Sequence, residues 1–359
     1  MDNYKVLGMM SGTSLDGLDL AYCHFWQDNG TWDFEIRQCT TVSYNESLYN
    51  RLKNAIYLSE AEHTQLHKEY GQWLGTQAKR FIQQHKLEID FLASHGHTSH
   101  HQPDEGITFQ LGHGQEVANA SGCKVICDFR SLDVRLGGQG APLVPIGDAL
   151  LLFAYDFCLN LGGISNISFR KSGKRIAFDI GLANMPLNYI TDKIGLKYDS
   201  EGALAKSGKI LPTLLEDLEQ LNYYQLPYPK STGYEWFSEE VQPLIEKTQS
   251  TSEDLLHTVI HHNCEQITKV IQNETQGKAG KLLVTGGGVL NTFFVSTLQE
   301  KLGANIQVVV PPKKLIEYKE AMVFAFMGVL RELGHVNVFS SVTGATEDSC
   351  SGSIFEPKL

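Results

Sequence analysis

A chain of 359 residues with 42% apolar side chains exceeds what one compact core usually holds, about 250 residues, and fits two domains. Its formal net charge of -11 argues against the clustered Lys and Arg surface that sequence-independent nucleic-acid binding requires, and no apolar run approaches the roughly 18 residues needed to cross a bilayer. Seven scattered cysteines (Cys23, Cys39, Cys123, Cys127, Cys158, Cys264, Cys350) cannot all pair and read as reduced thiols.

The N-terminal MDNYKVLG runs almost directly into a strand with no basic or apolar leader, so the cytoplasm is the expected compartment. Strands are expected at Val6 to Met10 and Leu18 to Phe25, joined by SGTSLDG, whose glycines and hydroxyls suit a backbone nest for an anion. A third strand, FEIRQCTTVSY, follows. Helical spacing then appears at Leu48, Leu52, Ala55 and Ile56, and over a longer run at Leu66, Tyr70, Trp73, Leu74, Phe81 and Ile82. IDFLASHG and CKVICDF read as short buried strands, with a helix expected around Val117 to Ala120.

Gly and Pro concentrate in GGQGAPLVPIGD, Gly137 to Asp148, where the lobe boundary is expected. The expected division is 1–135, joined by 340–359, against 136–339. Just past the boundary, FCLNLGGISNISFRKSGKRIAFDIG repeats the opening order of strand, glycine turn and two further strands. GKLLVTGGGVLNTFFVSTLQEKL reads as strand, triple glycine and helix, NIQVVVP as a strand, and EAMVFAFMGVLRELG as an apolar helix ended by Gly334. Residues 209–247, rich in Tyr, Pro and charge, read as an insertion or surface excursion.

Three glycine turns after apolar strands (SGTSLDG, NLGGISN and TGGGVLN) suit one nucleotide, because backbone amides can approach phosphate where no Cβ intervenes. None matches the P-loop or dinucleotide pattern. The histidines of SHGHTSHHQP (His95, His97, His100, His101), with His113 nearby, fit a polar binding loop better than zinc, since no Cys or acidic ligand stands at fixed spacing. Asp179, closing an apolar strand in RIAFDIG, suits either a turn cap or a partly desolvated general base. Glu320 has an ordinary alternative as a first-turn helix residue.

GMMSGTSLDGLD, SHGHT, DFRSLDVRLGGQGAPLVP, NLGGISN, KSTG, TGGGVLN and KEAMVFAF follow one another along essentially the whole chain. In this order they resemble the anhydro-N-acetylmuramic acid kinases. That resemblance implies an α/β architecture of two ribonuclease-H-like lobes, the actin-like ATPase and sugar kinase fold, around a central ATP cleft. It also implies ATP with Mg²⁺ as the phosphoryl donor, an anhydro-sugar as the acceptor and a homodimer, without nucleic-acid or membrane partners. Asp179 would be the base. Gly12, Thr13, Ser14, Leu15, Asp16, Gly17, Leu18 and Asp19 would hold phosphates, joined on the nucleotide by Gly162, Gly163, Gly286, Gly287, Gly288 and Asn291. Thr98, Asn184 and Glu320 would meet the sugar.

The chain departs from that family's pattern after Asp179, where Ile180-Gly181-Leu182-Ala183-Asn184 replaces a glycine-richer loop, and at His97, Tyr234 and the GHGQ after Leu111. An alanine at 183 matters if the backbone there needs positive φ or lies against the sugar. Two alternatives therefore stand beside the leading expectation: a kinase for another anhydro-sugar, or a catalytically impaired, nucleotide-gated sugar-binding protein.

Overall fold

The computed structural model describes residues 3–358. Two compact units divide the chain: Met1–Leu151 with Tyr318–Leu359, and Leu152–Glu317. In the first unit, β1 (Asn3–Ser11), β2 (Leu18–Asp28) and β3 (Thr31–Val42) form an antiparallel meander. β4 (Phe91–Gln102) lies parallel to β1, and β6 (Val125–Cys127) parallel to β4, while β5 (Ile107–Leu111) pairs with the far end of β4. The strand Ser353–Phe355 closes the sheet by pairing antiparallel to β6.

One face of this sheet is covered by the helix Glu60–His85, which starts at a Ser59 capping box and buries Leu66, Tyr70, Leu74, Ala78 and Phe81 on one stripe. The helix Lys313–Glu332 also packs on the sheet, with every residue from Ala321 to Leu330 buried. A Cβ on Gly8 of β1 would stand 1.9 Å from the Ala321 carbonyl oxygen, so helix and sheet backbones touch here and only glycine fits.

These contacts correct the expected division. Residues 318–339 belong with the first unit because an apolar helix needs a sheet to cover, and 136–151 belong there because Gly147 packs on Val323 and Asp148 pairs with Lys319. Helical geometry breaks at Tyr318 (φ -117°, ψ 16°), where the chain re-enters the first unit.

The second unit repeats the plan. β7 (Phe157–Leu161), β8 (Ile164–Lys171) and β9 (Lys174–Leu182) form an antiparallel meander, extended beyond β7 by the parallel strands β10 (Gly280–Thr285) and β11 (Ile306–Val309). Each sheet thus carries a three-strand meander followed on the side of its first strand by two parallel strands, so the recurring meander read from the sequence stands in both sheets, in the ribonuclease-H-like order that the resemblance implies.

Residues 209–247 are not a surface excursion. Leu214 and Leu218 of the helix Pro212–Glu219, and Phe237, Val241 and Ile245 further on, join the core of the second unit. Their spacing of four is helical, but interleaved Pro and Tyr mask it in the sequence. Among the described residues no helix is long and apolar enough to cross a membrane.

Candidate active site

In the first unit the chemistry-bearing residues leave the carboxyl ends of the parallel strands, where α/β sheets place their ligands. β1 runs into the Gly12 to Asp19 loop, in which Leu15 (φ 58°) and Gly17 (φ 147°) turn the backbone left-handed. Gly17 is required twice, since a Cβ there would also lie 2.8 Å from both Thr41 and the Val42 carbonyl. Thr13, Ser14 and Asp16 are exposed, whereas the Leu18 side chain is fully buried and leaves only its backbone to a ligand. Asp19 is half-buried and accepts a hydrogen bond from Thr41 Oγ1 at 2.6 Å.

The root of the loop is tied to β4. Ser11 Oγ shares a 3.0 Å hydrogen bond with His97 Nδ1 and accepts one from the Tyr44 hydroxyl. Burial takes the His97 pKa down to about 4, so it is neutral and structural, and His95 is likewise held well below the ordinary range by burial and the nearby Arg130. Thr98 follows on the same strand and accepts from Gln110 at 3.4 Å.

Arg130, just after β6, donates Nε–H to His95 Nε2 at 2.9 Å and Nη1–H to the Gly140 carbonyl at 2.6 Å. Glu320 is exposed, yet the protein packed around it raises its pKa, against the opposing pull of Arg130 and Lys319. Behind it, Lys319 Nζ meets Asp148 Oδ1 at 2.7 Å in a buried ion pair.

In the second unit the two glycine turns adjoin. The turn after β10 passes through Gly286 (φ 84°), where a Cβ would stand 2.6 Å from Asn160 Oδ1, and a Cβ on Gly288 would stand 2.7 Å from Leu161. By contrast Gly163 and Gly287 are exposed, and a side chain on either would meet nothing closer than 3.6 Å. Crowding by protein therefore does not account for glycine at those two places.

Two expected ligand contacts have work inside the unit. Asn184 Nδ2 donates to the carbonyls of Leu161 (3.0 Å) and Gly162 (2.7 Å), bracing the first turn, which uses both amide protons and leaves only Oδ1 for a sugar. Asn291 Oδ1 accepts from the Phe294 amide at 2.9 Å and caps the helix Thr292–Leu302.

Asp179 stands near the end of β9, within a girdle supplied by residues 223–232. Its amide donates to the Lys230 carbonyl at 3.1 Å, its carbonyl accepts from the Tyr223 hydroxyl at 2.7 Å, and Oδ2 accepts from the Thr232 amide at 3.1 Å. Desolvation raises the Asp179 pKa and outweighs the lowering by the Thr232 amide. A half-buried carboxylate with one oxygen held, and the other with no hydrogen-bond partner among the described residues, is equipped to take a proton.

The altered loop after Asp179 turns inward. Leu182 is 2% and Ala183 0% exposed, both in the core, and Ala183 has φ -130°, so the position does not call for a positive φ. His97 is another internal substitution, while Tyr234 is exposed.

The sequence profile described as Anhydro-N-acetylmuramic acid kinase matches residues 4–357. The chain belongs to that family. A kinase of this name from Hydrogenovibrio crunogenus is 32% identical over 371 residues, covering 98% of each chain, and one from Aliivibrio fischeri is 33% identical over 373 residues, covering 98% of this chain and 99% of its own. The family's members are sugar kinases that use ATP, in keeping with two ribonuclease-H-like sheets and paired glycine turns. The residues expected to act fall in both units: the Gly12 to Asp19 loop, Thr98 and Glu320 in the first, and Asp179, Asn184, Asn291 and the remaining glycines in the second. Arg130, Tyr223 and Thr232 escaped notice as site residues. DFR and KSTG entered only as motifs of the resemblance and LNYY not at all, and none shows a periodicity that marks a role; their hydrogen bonds, Arg130 to His95 in the first unit and Tyr223 and Thr232 to Asp179 in the second, are visible only in the fold.

Proposed function

We propose that this chain uses ATP to phosphorylate O6 of 1,6-anhydro-N-acetylmuramic acid while water opens the anhydro bridge, giving N-acetylmuramic acid 6-phosphate and ADP. The observation that carries this reading is the Asp179 carboxylate, with Oδ2 fixed by the Thr232 amide and its basicity raised by desolvation. Asp179 takes a proton from water as that water attacks C1. The C1–O6 bond breaks, O6 takes the electron pair and attacks the γ-phosphorus, and the bond to the ADP oxygen breaks. One base thus starts both bond cleavages.

Phosphoryl transfer asks the protein chiefly for positioning and charge neutralisation. The exposed Thr13, Ser14 and Asp16 with the left-handed backbone at Leu15 would receive phosphate, Gly163 and Gly287 would let the nucleotide lie on bare backbone, and Thr98 and Glu320 would meet the sugar. Mg²⁺ is compatible with the hard oxygens of this loop, of which the half-buried Asp19 carboxylate and exposed Asp16 would hold it together with phosphate and water. When bound it supplies neutralisation of phosphate charge.

The inward-facing Leu182 and Ala183 support the family's own sugar over another anhydro-sugar, because the altered loop changes the core behind Asp179. We further propose a cytoplasmic homodimer serving peptidoglycan recycling. The test is ADP formation from Mg-ATP with and without the anhydro-sugar in ¹⁸O-labelled water. A sugar product heavier by one phosphate and one labelled water supports the reading; ATP binding without sugar-dependent ADP refutes it.

A further inference from the structure

Asp19 closes the glycine loop at the start of β2, where the ladders set it between two strands: its register partners are Met10 on β1 and Thr41 on β3. Thr41 meets the end of that loop at two points. Its Oγ1 donates to Asp19 Oδ1 at 2.6 Å, and its Cγ2 stands where a Cβ on Gly17 would come within 2.8 Å. Threonine is stiff about χ1, because the two heavy atoms on its Cβ turn together. One rotamer thus lays the methyl on Gly17 and aims the hydroxyl at the carboxylate.

The Tyr318 hydroxyl lies 3.3 Å from the same Thr41 Oγ1. A hydroxyl has one proton and a carboxylate only accepts, so Thr41 gives its proton to Asp19 and accepts one from Tyr318. Each bond polarises the next in that sense. Tyr318 is also where helical geometry breaks (φ -117°, ψ 16°), and all three residues belong to the first unit.

We propose that Thr41 is the positioning residue of the Asp19 carboxylate and that Tyr318 orients Thr41. This rests on Asp19 being a carboxylate through which the loop holds Mg²⁺ with phosphate. A carboxylate already fixed in place loses less freedom when the metal nucleotide arrives, and Thr41 supplies that fixing through Asp19 alone. An ordinary cross-strand pair would have the same hydrogen bonds and serve stability only, so the experiment reads the metal.

The test is calorimetric titration of the full chain with a non-hydrolysable ATP analogue, the β,γ-imido triphosphate, once in Mg²⁺ and once in EDTA. The ratio of the two Kd values measures what the metal adds. Thr41→Val keeps the methyl on Gly17 and deletes the hydroxyl, and should cut that ratio about fivefold or more while the Kd in EDTA changes less than about twofold. Thr41→Ser should stay within about twofold of the parent ratio. Tyr318→Phe should cut the ratio about twofold, a smaller effect because 3.3 Å is long for a bond between hydroxyls. In the double variant Tyr318→Phe should add nothing to Thr41→Val, since it acts only through the deleted hydroxyl. Thr41→Ala should repeat the loss if Thr41→Val melts early.

Three results would overturn the inference: the parent ratio kept in both Thr41→Val and Thr41→Ala, a loss in Thr41→Ser equal to that in Thr41→Val, or a loss multiplied by Tyr318→Phe in the double variant. Asp19→Asn separates the two levels. If it removes the metal's contribution while the Thr41 variants keep it, only the role of Thr41 falls; if it keeps that contribution, the assignment of Asp19 falls and this inference with it. No sugar enters the titration, so its outcome is independent of the reaction proposed above.

Discussion

In the proposed mechanism Asp179 is costly to the fold and useful to the reaction for one reason, its desolvation. Because burial raises its pKa, the folded chain binds this proton more tightly than the unfolded chain does. The associated stability is fully present below the unfolded carboxylate value, about 3.9, and is lost as pH rises through the folded value. Asp179→Asn should therefore abolish sugar-dependent ADP release while raising Tm at neutral pH, and the gain in Tm should shrink as pH falls towards about 4. Activity follows the opposite sense: a base must be deprotonated, so kcat/KM should fall with acid through a pKa above the usual aspartate range. Thermal melts of both proteins across pH, beside the rate profile, check this. A neutral-pH Tm below that of the parent would mean that the Thr232 hydrogen bond outweighs desolvation. The sequence marked Asp179 by its strand-end position, but environment, which decides its basicity, comes from residues 44 and 53 positions away.

At the scale of elements, strands and long helices were legible because each buries one face and so prints its period on the chain. The helix Glu60–His85 shows its stripe, its Ser59 cap and its acidic first turn together. Residues 209–247 were not legible, because their helices are short, two contain Pro in the first turn, and they cover the core between loops whose shape serves Asp179. Tyr223 and Tyr224 illustrate the difference. Tyr224 lies against Gly181 of β9, and Tyr223 reaches the Asp179 carbonyl, so neighbours in sequence grip the same strand end at two points. Tyr223→Phe keeps the ring packing against Trp236 and removes one 2.7 Å hydrogen bond. It should cost about 1 kcal/mol of stability in denaturant titration. It should also lower kcat more than it raises either KM, because the strand end carrying the proposed base gains freedom while the glycine turns are untouched. Equal kcat with reduced stability would make the girdle a packing device alone.

For the molecule as a whole, duplication was visible as a recurring meander, whereas the division of the chain was not. A Gly- and Pro-rich stretch signals a break in periodicity, but membership of a core is decided by which sheet an apolar helix covers, and Gly8 facing Ala321 is a long-range match that no local pattern announces. The second unit is continuous, Leu152–Glu317, and contains its own five-stranded sheet and core. The first unit is completed only from Tyr318 onward, where Met322, Val323, Phe324, Phe326, Met327, Val329 and Leu330 are at most 2% exposed. Each such side chain contributes about 1.5–3 kcal/mol on burial, so together they exceed a typical domain's whole net stability of about 5–15 kcal/mol at the upper estimate and match it at the lower. A fragment of residues 152–317 should accordingly show a cooperative thermal transition and slow amide exchange in β7, β8 and β10. A fragment of residues 1–151 should show neither until a second fragment, 318–358, is added in trans. Cooperative unfolding of 1–151 alone would mean that the meander and the helix Glu60–His85 form a sufficient core, and that the final helix seals the sheet without being needed to build it.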